Sequence, residues 1–132
     1  MSTLYLIRGI SGSGKSTLAR RMKMSGMVDA VQEADIYMTD EYQKYEFNPE
    51  HLQKAHTACQ YQSHKYLEMG FNIAVANTST TEREVAVYKQ IADASGATFV
   101  SIVLENRSGN INVHNVPEET LTKQRNRFSV KL

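Results

Sequence analysis

The chain alternates short apolar runs with longer stretches of helical periodicity, and that alternation predicts its elements in order. Thr3-Leu4-Tyr5-Leu6-Ile7 reads as a first strand. A helix is expected from Ser16 to about Met24, ended by Ser25-Gly26, because glycine offers the left-handed position that helix C-termini favour. A weakly patterned second strand is expected near Val28 to Ala34. Ile36 to Phe47 mixes four aromatics with acids and reads as a short helical or irregular segment beside a cleft. Asn48-Pro49-Glu50 is a helix start, with a cap, a first-turn proline and an acid against the positive end of the dipole. Leu52, Ala55, Cys59 and Tyr66 then recur at helical spacing, and Gly70 stops the helix.

Phe71 to Ala76 is an unbroken apolar run, which predicts a buried third strand. Thr81 and Glu84 form a capping box for a helix that buries Val85, Tyr88, Ile91 and Ala92 and ends at Gly96. Ala97 to Leu104 carries the strongest β signal in the chain. Glu105 to Val116 lacks periodicity and reads as a mobile loop, and Pro117-Glu118-Glu119 opens a last helix. Strands alternating with helices predict one three-layer α/β domain over residues 1–132, with a mostly parallel sheet.

Between the first strand and first helix lies Gly9-Ile10-Ser11-Gly12-Ser13-Gly14-Lys15-Ser16-Thr17, a complete G-x-x-x-x-G-K-S match. The strand-turn-helix setting is the one this phosphate cradle requires. Its glycines, Gly12 and Gly14 among them, let successive backbone N–H groups of Gly12, Ser13, Gly14, Lys15, Ser16 and Thr17 converge on a polyphosphate. Lys15 is placed to reach the β/γ oxygens, and the Ser16 hydroxyl is placed to ligate Mg²⁺. ATP with Mg²⁺ is therefore the expected cofactor pair.

Charge sharpens this picture. Residues 1–28 carry Arg8, Lys15, Arg20, Arg21 and Lys23 and no acid, as suits a segment that meets polyphosphate. Residues 29–50 reverse the balance, with seven acids against Lys44 alone. The formal net charge is only +1, so avid non-specific nucleic-acid binding is not expected from charge. One cysteine, Cys59, forms no internal disulfide, and no apolar stretch reaches membrane-spanning length; both point to a cytoplasmic protein.

With these motifs placed, the chain resembles the P-loop kinase family that includes the kinase domain of bacteriophage polynucleotide kinase and its cellular relatives. The resemblance runs through Arg8-Gly9 with the P-loop, Ala34-Asp35 followed by Tyr37, and Tyr45, Phe47, Leu52, Ala55-His56 and Cys59. It continues in Asn77-Thr78, in His114 with Val116-Pro117, and in Arg127-Phe128. It implies a sheet ordered 2-3-1-4 with a lid before the last helix. It also implies that Asp35 is the general base on the acceptor hydroxyl, since a hydroxyl attacking the γ-phosphorus must lose its proton.

The departures from the family pattern matter as much. The second Asp of the relatives is Ile36 here, and the arginine that grips an acceptor phosphate in the phage enzyme is Met38. The relatives' Asp after the third strand falls on Ala76 or Asn77. Around His114 the expected lid arginine is missing, with Ile111 and Asn112 instead, which leaves Arg107 as the lid candidate and Arg125 and Arg127 as further cations for the nucleotide.

These residues support a γ-phosphate transfer to a hydroxyl, first of all a polynucleotide 5′-hydroxyl. The acidic 29–50 segment suits a small neutral or cationic acceptor instead, and the altered loop positions suit a nucleotide-binding switch that transfers poorly. His51, His56 and His64 share one expected helix without the i, i+4 spacing of a metal pair. Asn77, Thr78 and Ser79 are acceptor-side candidates, with loop capping as the alternative.

Overall fold

The computed structural model describes residues 2–9, 14–34, 49–77 and 82–104, with side chains from residue 53 onward in the third of these. The expected aromatic segment, lid loop and last helix lie outside the described residues. The elements are β1 (Thr3–Arg8), α1 (Lys15–Met24), β2 (Ala30–Gln32), α2 (Pro49–Glu68), β3 (Ile73–Val75), α3 (Glu82–Ala94) and β4 (Thr98–Val103). They form an α/β unit around a four-stranded sheet in the order β2-β3-β1-β4, every pair parallel. This is the 2-3-1-4 order that the resemblance implies.

Alternation along β1 divides the core. Leu4 and Leu6 face one side, where with Ile73 and Val75 they meet Cys59 and Leu67 of α2 and Tyr88 and Ala92 of α3. Ile7, Ala74 and Ala76 face the other side and meet Ala19 and Met22 of α1 and the nearby Val28. The central β3 is covered on both faces, so Ile73, Ala74 and Val75 are all fully buried, as the unbroken apolar run predicts.

Two expected strands are shorter than their apolar runs, and asparagine side chains are the reason. At the near end of β3 the Asn72 side chain accepts the N–H of Thr3 at 2.9 Å, while its backbone N–H donates to the Asp29 carboxylate at 2.9 Å. At the far end the Ala34 N–H leaves the ladder and donates to the Asn77 side chain at 2.7 Å. Side chains thus take over where backbone pairing stops.

On α2 the buried stripe is Ala55, Cys59, Ser63 and Leu67, spaced by four residues, rather than a stripe ending in Tyr66. Small residues let the helix lie close to the sheet, and the Ser63 hydroxyl is satisfied by donating to the Cys59 carbonyl at 2.7 Å. Tyr66 is half-buried and stacks on Phe71 with ring centroids 5.5 Å apart. Helix α1 ends as expected, with Gly26 at φ +83° behind Ser25. No described helix is long and apolar enough to cross a membrane.

Candidate nucleotide site

The C-terminal end of β1 runs toward the N-terminus of α1, and the chemistry-bearing residues gather there. Gly14 caps α1 at φ 96°, ψ 15°, a left-handed conformation that a side chain would strain, so the loop turns into the helix without an intervening residue. No acid stands in the first turn of α1 and its N-cap, Gly14, has no side chain to cap it, so the N–H groups and positive dipole end of the helix suit an anion. Lys15 begins the helix and is only 8% exposed, so its stem is packed against protein.

Ser16 follows in the same turn, and its hydroxyl donates to the Glu33 carboxylate. Thr17 lies on the exposed side of α1. Gly12, Ser13, Asp35, Arg107, Arg125 and Arg127 lie outside the described residues. Glu33 is a residue that sequence reasoning passed over, having counted it only as one acid of an acidic segment. The available signal was its position: it follows β2 directly, two residues before Asp35, at the strand end where open α/β sheets collect functional side chains.

The opposite face of the same sheet edge holds a second polar group. In the register of the sheet, Arg8 follows Leu4 and Leu6 on the α2/α3 face, and its side chain is fully buried. Burial pulls the Arg8 guanidinium below its ordinary range, and the Glu84 carboxylate opposes that shift. Asn77, also buried, accepts from Ala34 N–H and donates through its amide to the Tyr88 hydroxyl at 2.9 Å. The Tyr88 hydroxyl in turn lies 3.5 Å from the Cys59 sulfur. Burial pushes the Cys59 thiol up, partly offset by hydrogen bonds from Tyr88, Asn77 and Ser63.

Beside this network opens a cavity of about 210 Å³ between α2 and α3, lined by His56, Gln60, Asn77, Arg83, Glu84 and Tyr88 together with Val87. Asn77 therefore belongs to the wall and to the scaffold at once. Its side chain bonds to the Ala34 N–H and the Tyr88 hydroxyl; Thr78 and Ser79 lie outside the described residues.

Among the described residues no group of three or more His, Cys, Asp and Glu side chains is arranged to hold a metal ion. A nucleotide-bound Mg²⁺ asks for less: it takes hard oxygen ligands, commonly one or two from protein with the rest from phosphate and water. A serine hydroxyl in contact with one carboxylate fits that demand.

A phosphate cradle at the β1–α1 junction of a parallel 2-3-1-4 sheet defines a kinase-like P-loop NTPase. The chain belongs to the family described as AAA domain, which it matches over residues 4–130.

Several solved kinases share the fold at low identity. A chain of the Pnkp1/Rnl/Hen1 complex matches 99% of this chain with TM-score 0.67 and 17% identity. This chain spans only 40% of that protein. The APS kinase CysC of Mycobacterium tuberculosis, in complex with AMPPNP and APS, matches 93% of this chain and 68% of its own length with TM-score 0.60 and 16% identity. A sugar kinase from a Janibacter species matches all of this chain and 80% of its own length with TM-score 0.67 and 14% identity.

Proposed function

We propose that this chain is an ATP- and Mg²⁺-dependent phosphotransferase acting on a hydroxyl, with a polynucleotide 5′-hydroxyl as its acceptor. The observation that carries the reading is the junction of β1 and α1, where Gly14, Lys15 and Ser16 sit at an uncapped helix N-terminus. Lys15 and the N–H groups of Gly12 to Thr17 hold the polyphosphate, and Ser16 holds the metal. When bound, the divalent ion offsets charge on the β- and γ-phosphoryl oxygens.

In the proposed reaction the acceptor oxygen bonds to the γ-phosphorus as the bond to the bridging oxygen breaks and ADP departs. Asp35 takes the hydroxyl proton, and Arg107 faces the charge spread over the transferring group, with Arg125 and Arg127 as additional cations on the donor side. Asp35 follows Ala34 directly, so the bond from Ala34 to Asn77 fixes the backbone one residue from the proposed base. What favours the polynucleotide acceptor is the resemblance carried by Ala34-Asp35 with Tyr37, by Asn77-Thr78 and by Arg127-Phe128.

One observation favours a smaller acceptor. Residues 29–50 carry seven acids against Lys44 alone, so a polyanionic acceptor would meet repulsion there, whereas a nucleoside or sugar would not.

Transfer of label from γ-labelled ATP to 5′-hydroxyl DNA, 5′-hydroxyl RNA and a nucleoside and metabolite panel separates the readings. Label on an oligonucleotide end, reduced on the order of 10²- to 10³-fold or more by Lys15→Ala and by Asp35→Asn, is the expected result. Label on a small acceptor alone would move the function to a metabolite kinase with the same chemistry. Nucleotide binding without any product would favour a switch.

A further inference from the structure

We propose that Glu33 supplies the protein carboxylate of the metal site, acting with Ser16 from the end of β2 in place of a carboxylate at the end of β3. The inference rests on the nucleotide reading above and adds a ligand to it. In P-loop NTPases the hydroxyl of the cradle is commonly joined at the ion by an acid from a neighbouring strand end. Here β3, one of the two strands beside β1, ends at Val75 and runs on into Ala76 and Asn77, with no acid. Asn77 is moreover committed to Ala34 and Tyr88 on the α2/α3 face.

The register shows where the missing acid comes from. Val31 pairs with Ala74 and Gln32 with Val75, and the Ala76 N–H extends the ladder to the Gln32 carbonyl at 2.9 Å. Alternation therefore puts Glu33 level with Ala76, on the α1 face, and Ala34 level with Asn77, on the other. Glu33 reaches across β3 on that face to the Ser16 hydroxyl. One residue's shift in register would have turned the carboxylate away from the cradle.

Charge argues in the same direction. A carboxylate touching the cradle's hydroxyl would repel a bare triphosphate, and a divalent cation held between the two would replace that repulsion with attraction to both. The competing role is structural: an acid near the positive end of α1 stabilises the helix dipole and asks for no ion. The two roles part company in their dependence on metal.

The test measures affinity for a non-hydrolysable ATP analogue by calorimetry, in Mg²⁺ and in EDTA, for the full chain and for Glu33→Gln, Glu33→Asp and Ser16→Ala. A parallel titration follows Mn²⁺ by electron paramagnetic resonance in the presence of the analogue. The Mg²⁺-to-EDTA affinity ratio is expected to fall by about tenfold or more in Glu33→Gln and Ser16→Ala. Affinity in EDTA should stay unchanged or rise in Glu33→Gln as the like charge is removed. Glu33→Asp, which keeps a carboxylate on a shorter stem, should recover part of the ratio.

An unchanged ratio in Glu33→Gln, with Mn²⁺ bound as in the parent chain, overturns the proposal while leaving the nucleotide reading in place. A lower unfolding temperature with an unchanged ratio assigns Glu33 to the helix dipole and overturns it equally. Failure of the parent chain to bind the analogue under either condition would overturn the nucleotide reading itself, which is a separate result.

Discussion

The two faces of the sheet are alike near the strand beginnings and differ at the strand ends. Both are apolar where β1 and β3 start, with Leu4 and Ile73 on one side and Ala74 on the other. At the C-terminal edge the α1 face presents Lys15, Ser16 and Glu33, whose polar atoms gather at a helix N-terminus. The α2/α3 face instead buries Arg8, Asn77, Tyr88 and Cys59 in contact with one another or with the flanking helices. One edge thus holds the polar groups of the proposed nucleotide site and, behind the strands, polar groups disposed toward the fold. The lesson is that a hydrogen bond's consequence depends on whether water can replace it. Losing one at the cradle costs binding, whereas losing one behind it costs stability.

The largest expected effect lies in the Arg8 charge. Glu84 is partly exposed and can turn to water if Arg8 is removed, whereas Arg8 is fully buried and loses a carboxylate that offsets its desolvation if Glu84 is removed. Glu84→Ala should therefore destabilise by up to about 3 kcal/mol, below the range for stripping a buried charge of every partner. Arg8→Met, which keeps much of the buried stem, should cost less. Denaturant unfolding of both variants gives the order directly. If Arg8→Met proves the costlier, Glu84 is not the group that offsets the buried charge.

Next comes the Asn77–Tyr88 bond. Asn77→Ala strands the Ala34 N–H and removes one partner of the Tyr88 hydroxyl, at about 1–3 kcal/mol for each buried group left unsatisfied. Tyr88→Phe deletes only the hydroxyl and should cost about 1 kcal/mol. Because the two side chains touch, a double-mutant cycle should show a coupling of about 0.5–3 kcal/mol. Ser16→Ala on the opposite face should stay within about 0.5 kcal/mol of the parent in the absence of nucleotide. Comparable losses from Ser16→Ala and Asn77→Ala would erase the distinction between the faces.

How much of this was legible in the sequence follows from the range of each interaction. Elements were readable because periodicity, caps and glycines are local, and the cradle was readable because its residues are contiguous; the strand order came only with the family resemblance. Strand lengths were not, because Asn72 and Asn77 bond to residues far off in the chain, Thr3 and Ala34. Ser63 read as polar on a helix that is otherwise apolar on that stripe, yet a bond to its own helix four residues back lets it be buried. Glu33 escaped notice because its partner is seventeen residues away on another element. Arg8, by contrast, looked like a cradle cation, and only alternation along β1 reveals that it belongs to the other face.

The last expected effect, absent at neutral pH, concerns Cys59, and its sign follows from the direction of the shift. The buried thiol ionises above its ordinary range, whereas in the unfolded chain it ionises near pH 8.5. Below that value both states hold the proton, so Cys59 adds no pH dependence. Above it the unfolded chain releases the proton and the folded chain does not, so stability falls with rising pH, by at most about 1.4 kcal/mol per pH unit until the folded value is passed. Denaturant midpoints between about pH 7.5 and pH 9.5 stay below most tyrosine ionisation and isolate this slope. Cys59→Ala should flatten it, and Cys59→Ser, which keeps a hydroxyl near Tyr88 without a titrating thiol, should flatten it as well. Alkylation by iodoacetamide should follow the same logic, proceeding only as fast as the chain opens. Rapid alkylation of the native chain near pH 8 would mean that water reaches the Asn77–Tyr88–Cys59 group, and the fold-facing character of that edge would have to be given up.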